Sequence, residues 1–142
     1  GIGRGQMEVL DKHVRRRREL FEGYRRMLED VEGISFVIEQ PGMFANRWLT
    51  TILIDPVLSG TSPEFIREGL EKENIESRPV WKPMHMQPVF AGMPMYGGKE
   101  CEQIFARGLC LPSGSNMNDA ELKRIENQIK ELFEVTKPAK WV

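Results

Sequence analysis

From Gln6 to Val31 the chain repeats apolar residues at alternating steps of three and four: Met7, Leu10, Val14, Phe21, Tyr24, Leu28 and Val31, with Arg17 in the one polar seat. This is the period of a single helix face, and it predicts a continuous helix stopped by Gly33. A helix of that length runs roughly 39 Å at 1.5 Å per residue. A small domain does not need so long a helix to cover its own core, so it is expected to lie along a second domain or a partner chain.

The remaining pattern alternates strands and helices. Ile34 to Ile38 is a short apolar run suited to a strand, and Trp48 to Ile54 is β-branched and stronger. Asp55-Pro56 ends it. Thr61 or Ser62 caps the next helix, with Pro63 in its first turn and Glu64 at capping-box spacing from Thr61. Phe65, Ile66, Leu70 and Ile75 form its buried side. Glu76 to Val80 reads as extended, because Pro79 disfavours helix at Arg78. Pro79 to Gly98 then holds four prolines and three glycines and reads as a structured loop. A helix over Cys101 to Arg107, a strand over Leu109 to Leu111 and a last helix from Asn118 complete the order. Asn118 and Glu121 have capping-box spacing, and Leu122, Ile125, Ile129, Leu132 and Phe133 make the last helix's stripe. The expected fold class is α+β: a mostly antiparallel sheet with helices on one face. The expected division is a connecting helix over 1–33, an α+β body over 34–136 and a tail over 137–142.

With 142 residues, 40% hydrophobic and 29% charged, the composition is that of one globular domain. Twenty basic against 21 acidic residues give no general attraction to nucleic acid or to anionic membranes. No apolar run approaches the roughly 20 residues that cross a bilayer, and Arg4 leads into charged helix rather than a signal sequence. Cys101 and Cys110 are too few for a disulfide framework and predict reduced thiols in a cytoplasmic protein. The opening Gly1-Ile-Gly-Arg-Gly runs into the helix without a cap, as the interior of a longer chain would.

Four consecutive arginines, Arg15 to Arg18, lie about 100° apart around a helix and build no single basic stripe. Glu8, Asp11, Glu19 and Glu22 stand at three- and four-residue spacings to offset them. Met84, His85, Met86, Met93 and Met95 crowd one loop, but a single histidine and no cysteine make a poor copper(I) set, and methionine commonly fills apolar gaps. The two cysteines are nine residues apart with no nearby histidine, which argues against zinc. His13 sits off the helix seam and reads as a surface residue, and no nucleophile motif is present. No metal site is expected.

Ser77-Arg-Pro-Val-Trp-Lys-Pro-Met-His-Met-Gln-Pro88 is the chemically dense segment: two cations, an indole and an imidazole on a backbone stiffened by three prolines. Guanidinium and ammonium groups suit phosphate or carboxylate, and an indole suits the face of a base or sugar.

That segment, continued by Val89-Phe90, resembles the sugar-nucleotide aminotransferases of the DegT/StrS type, nearest to the branch that aminates UDP-linked 4-keto sugars as in N-acetylbacillosamine synthesis. Gly1-Ile-Gly-Arg-Gly-Gln-Met-Glu-Val-Leu resembles the helix that follows the family's cofactor domain. Leu109-Cys-Leu-Pro-Ser-Gly-Ser and the helix after Asn118 resemble its C-terminal ending. The resemblance implies the small C-terminal domain of a fold-type-I, pyridoxal-phosphate (PLP)-dependent enzyme. Such an enzyme takes an amino group from glutamate (or glutamine), passes it to C4 of a nucleotide-linked keto sugar, and forms its active site between two subunits. It implies that Arg78, Trp81, Lys82, Met84 and His85 contact the nucleotide sugar or close over the cofactor. None of the eight lysines stands in the Ser-Lys context of the Schiff-base residue. The cofactor-holding groups are therefore expected upstream of Gly1, with no PLP bound to this chain alone and no activity from it. Two alternatives stand beside this reading: a free-standing module that binds or dimerises through its long helix, and a regulator descended from the aminotransferase fold.

Overall fold

A computed structural model of the chain describes residues 1–136; the expected tail over 137–142 lies outside the described residues. Two helices open it, α1 (Ile2–Glu8) and α2 (Leu10–Leu28). They are followed by β1 (Ile34–Phe36), β2 (Thr50–Ile54), α3 (Pro56–Ser59), α4 (Pro63–Lys72) and β3 (Arg78–Pro79). Two 3₁₀ turns, Met84–Met86 and Pro88–Phe90, precede α5 (Glu100–Arg107), β4 (Gly108–Leu111) and α6 (Asp119–Thr136).

The strands form one antiparallel sheet in the order β1-β2-β4-β3. Ile34 faces Ile54 across the first pair, Thr50 faces Leu111 across the second, and Arg78 faces Cys110 across the third. Because side chains alternate along a strand, Ile52, Ile54, Leu109 and Leu111 share one face. Leu20, Tyr24 and Leu28 of α2, Ile66 and Leu70 of α4, and Ile125, Ile129 and Phe133 of α6 close over it. Each such side chain contributes about 1.5–3 kcal/mol by leaving water. The α+β class, the antiparallel sheet and the helices on its face agree with the expectation.

The expected single helix is interrupted. Val9 leaves helical geometry at φ −112°, ψ 3°, and separates α1 from α2. Helix also begins at Ile2, four residues before the predicted Gln6, in spite of Gly3 and Gly5. The seam divides accordingly: Phe21, Tyr24 and Leu28 are buried, whereas Met7 and Leu10 are exposed. Only the second half meets this domain's core. Arg17 is half-buried and its Nε has no partner.

Local chemistry sets the other ends. Ser62, not Thr61, caps α4 by accepting from Phe65 N. Glu64 does not close a box but pairs with Arg67 at 2.7 Å. Asp55 accepts from Val57 N and Leu58 N, so the Asp-Pro that ends β2 also starts α3. The box at α6 is complete: Asn118 N donates to Glu121 Oε2 at 2.7 Å, and Glu121 N donates to Asn118 Oδ1 at 2.9 Å.

Candidate functional site

Above the ends of β4 and β3 lies an open groove of about 1520 Å³, lined among others by Trp48, Arg78, Trp81, Ser113, Met117 and Arg124. The backbone at its floor is fixed by Ser113, whose hydroxyl accepts from Thr50 N at 2.8 Å and donates to Leu111 O at 2.9 Å. Tyr24 reaches up from α2 and donates its hydroxyl to Pro112 O at 2.9 Å. Burial pushes the Tyr24 phenol above its ordinary pKa, so it stays protonated and a donor.

Arg78 and Trp81 line this groove. Arg78 Nε donates to Glu76 Oε1 at 2.7 Å, so its charge is already paired, in an exposed setting. Met84 and His85 line a second, smaller depression of about 260 Å³ with Phe90, Met93 and Met95. His85 Nε2 lies 3.0 Å from Glu102 Oε1, which ties the loop to α5 and fixes the imidazole's orientation. Lys82 is exposed and lines neither depression. The five expected residues thus share one chain segment but divide into a groove pair, a depression pair and a free ammonium. Among the described residues no group of three or more histidine, cysteine, aspartate or glutamate side chains is placed to hold a metal.

One aromatic neighbour was not singled out from the sequence. Trp48, read there only as the start of a strand, stacks on Trp81 with ring centroids 5.6 Å apart and planes 26° from parallel. The arginine run also resolves into long-range contacts. Arg16 donates to Met117 O at 2.8 Å and pairs with Asp119 at 2.9 Å, joining α2 to the start of α6. Arg18 forks onto Glu39 at 2.7 and 3.1 Å and donates to Ala45 O at 2.6 Å. The Arg18 hydrogen bond and the Ala45 N–H hold the Glu39 carboxyl down at about 2.

The groove rim thus brings the stacked Trp48–Trp81 pair together with the Glu76-paired Arg78. The chain's fold matches that of the aminotransferase TlmJ from Streptoalloteichus hindustanus, with a TM-score of 0.83 at 19% identity over 96% of this chain and 36% of that one. Residues 1–130 match the DegT/DnrJ/EryC1/StrS aminotransferase family, and the chain belongs to it. It is 43% identical over 99% of its length to EpsN of Bacillus subtilis (strain 168), named as a pyridoxal phosphate-dependent aminotransferase. It is 32% identical over 93% of its length to the GDP-perosamine synthase of Vibrio cholerae. It spans 37% and 36% of those two proteins, just over a third of each.

The family depends on PLP, and among the described residues no lysine is set to form a Schiff base with it. Lys12, Lys72, Lys82, Lys99 and Lys123 are exposed, and Lys130 is held by Glu126 at 2.7 Å. A lysine that condenses with a carbonyl needs a desolvated amine, which burial near the cofactor provides. No described lysine has that setting.

Proposed function

We propose that this chain is the small C-terminal domain of a PLP-dependent aminotransferase that moves an amino group from glutamate (or glutamine) to C4 of a nucleotide-linked keto sugar for cell-surface glycan synthesis. On this reading its groove and its Ser77–Pro88 loop complete the sugar-nucleotide site, and a cofactor domain outside these residues holds PLP. The observation that carries it is the groove rim, where the loop that resembles the family's substrate segment sets Arg78 and Trp81 beside Trp48.

PLP supplies the electron sink that lets an amino group pass between two carbonyl carbons. The residues of this chain bind and orient. Lys82, exposed and without a carboxylate partner among the described residues, meets a phosphate or carboxylate of the substrate. Trp81 covers an apolar face of the ligand. His85, steadied by Glu102, orients a hydroxyl, and Met84 fills space beside it. Arg78 serves phosphate only when it exchanges Glu76 for the ligand. The parent is a cytoplasmic homodimer whose site lies between subunits, with a UDP-linked sugar preferred over a GDP-linked one.

Steady-state kinetics of the full-length enzyme test this reading. Lys82→Ala and His85→Ala are expected to raise KM for the nucleotide sugar, and the isolated chain is expected to show no turnover. Unchanged constants in both variants would sink the assignment of the loop. A full-length protein that aminates no nucleotide sugar in the presence of PLP and glutamate would sink the function itself.

A further inference from the structure

The geometry points to Trp48 as a second substrate-contacting residue that forms, with Trp81, an aromatic platform for the nucleobase of the nucleotide sugar. This deepens the function proposed above and rests on it.

The two indoles come from segments 33 residues apart, one ahead of β2 and one beyond β3, and they meet on the groove rim. Each is nonetheless largely in water, Trp48 57% and Trp81 64% exposed. Large aromatics left exposed side by side on a concave surface are characteristic of a ligand platform. An indole offers a flat π-face to any planar ring, and stacking tolerates either a uracil or a guanine.

Trp48 is also held in place before any ligand arrives. The residue before it, Arg47, takes a left-handed backbone at φ +50°, which a non-glycine residue adopts only when its surroundings hold it there. Its guanidinium lies 3.7 Å from the centre of the buried Phe21 ring and donates to Val37 O at 2.8 Å. Trp48 N donates to Asn46 Oδ1 at 3.1 Å. Further back, Glu39 accepts the Arg18 fork and also the Ala45 N–H at 2.6 Å. The whole β1–β2 loop is therefore tied to α2, and a side chain presented by a tied loop loses little entropy on binding.

The chemistry of the groove selects which part of the substrate comes here. The reacting carbon of the sugar must sit at the cofactor, and no described lysine is set to hold PLP. The described residues meet the end of the substrate remote from the reaction, which is the nucleotide. Two of the groove's three arginines are paired with carboxylates, Arg67 by Glu64 at 2.7 Å and Glu71 at 2.8 Å and Arg78 by Glu76, while the third, Arg124, donates to the Glu73 carbonyl. Stacking, rather than a free cluster of cations, is the attraction the groove has to offer.

The test uses the full-length protein and the free nucleotides UDP and GDP as calorimetric probes. Trp48→Ala is expected to weaken binding of the nucleotide that the wild type takes by about tenfold or more, as loss of one base stack does. Trp48→Phe is expected to restore it to within about threefold. Glutamate-driven conversion of bound PLP, followed by absorbance without sugar, is expected to be unchanged. Should Trp48→Ala disturb that half-reaction too, Trp48→Leu, which keeps apolar bulk without a π-face, decides: weakened nucleotide with an intact half-reaction supports the platform, and normal nucleotide binding overturns it. Affinity within about twofold of wild type in Trp48→Ala, or a wild type that binds neither nucleotide, overturns the platform. Lost stability with unchanged affinity also overturns it, by making the pair a domain contact. Continued amination of a nucleotide sugar in those cases leaves the proposed function standing, whereas no amination by the wild type removes it.

Discussion

Replacing Gly108 with alanine should destabilise the domain by about 2 kcal/mol, for reasons of space alone. Gly108 has φ −87° and ψ 137°, a strand geometry open to any residue. A Cβ there would stand 2.3 Å from Val80 Cγ2 and 2.6 Å from the carbonyl oxygen of Ile104. Carbon contacts are optimal at about 3.5–4.0 Å, so Val80 would have to retreat by more than about 1 Å. Its branched Cβ restricts that retreat to a rotamer change, and the Ile104 oxygen belongs to the last turn of α5. Overpacking of this kind costs about 1–3 kcal/mol, and a site with backbone on one side belongs at the upper end. The lost freedom of the unfolded chain returns about 0.4–1 kcal/mol, which leaves a net near 2. In equilibrium urea unfolding followed by circular dichroism this moves the midpoint down by about 1 M. Gly98→Ala, where nothing lies within 4 Å of the added carbon, is the control and should barely move it. A Gly108→Ala cost below about 0.5 kcal/mol would refute the reasoning, because Val80 and the end of α5 would then yield freely.

Three further outcomes follow from single contacts. Glu39 has a folded-state pKa of about 2, below its ordinary 4.5, so the latch it makes is fully present above 4.5 and is lost as pH falls through about 2. The far-ultraviolet exciton couplet of the Trp48–Trp81 pair should fade over that window, and Glu39→Gln should remove this transition; an unchanged titration in Glu39→Gln would detach the latch from the tryptophans. Tyr24→Phe leaves the Pro112 carbonyl without its donor and should cost about 1–2 kcal/mol in thermal or urea unfolding, whereas no cost would mean water replaces the hydroxyl. Asn118→Ala removes the α6 cap and should cost about 1 kcal/mol, with Asn118→Asp close to wild type; equal losses in both variants would discount the cap.

What the sequence disclosed, and what it withheld, divides by the range of the interactions. The buried stripes of α2 and α6, the strand expected over Trp48–Ile54 and found at Thr50–Ile54, and the Asn118–Glu121 box are written in residues three or four apart, or in alternate residues, so pattern alone located them to within two residues. The break at Val9 was not legible, because the apolar period runs through it unaltered and only backbone geometry marks it. Ser62 was offered as a cap equally with Thr61, and only the folded turn chose between them. At the site, Trp81 stood out from its proline-fixed neighbours, but Trp48 looked like one more aromatic at the start of a strand. Its partner lies on another strand's exit, and no periodicity connects the two. The same holds for Arg18 with Glu39, 21 residues apart, and His85 with Glu102, 17 apart. A run of four arginines announced charge without announcing that two of them are ties between elements.

Those ties explain how a strand of two residues can govern a long loop. β3 gives the segment beyond Pro79 very little backbone pairing, and the loop's order comes from side chains instead. Val80 sits in the notch that Gly108 leaves open, Trp81 stacks on Trp48, and His85 is held by Glu102. Pro79, Pro83 and Pro88 stiffen the spans between these anchors. Lys82 and Met84 fall between anchored residues and are exposed. A flexible ammonium on a fixed backbone loses only its own rotamers when it meets an anion, whereas one on a mobile loop would also lose the loop's freedom. Filling the Gly108 notch or cutting the Glu102 tie should therefore weaken ligand binding through lost order at Lys82, a residue that neither change touches directly.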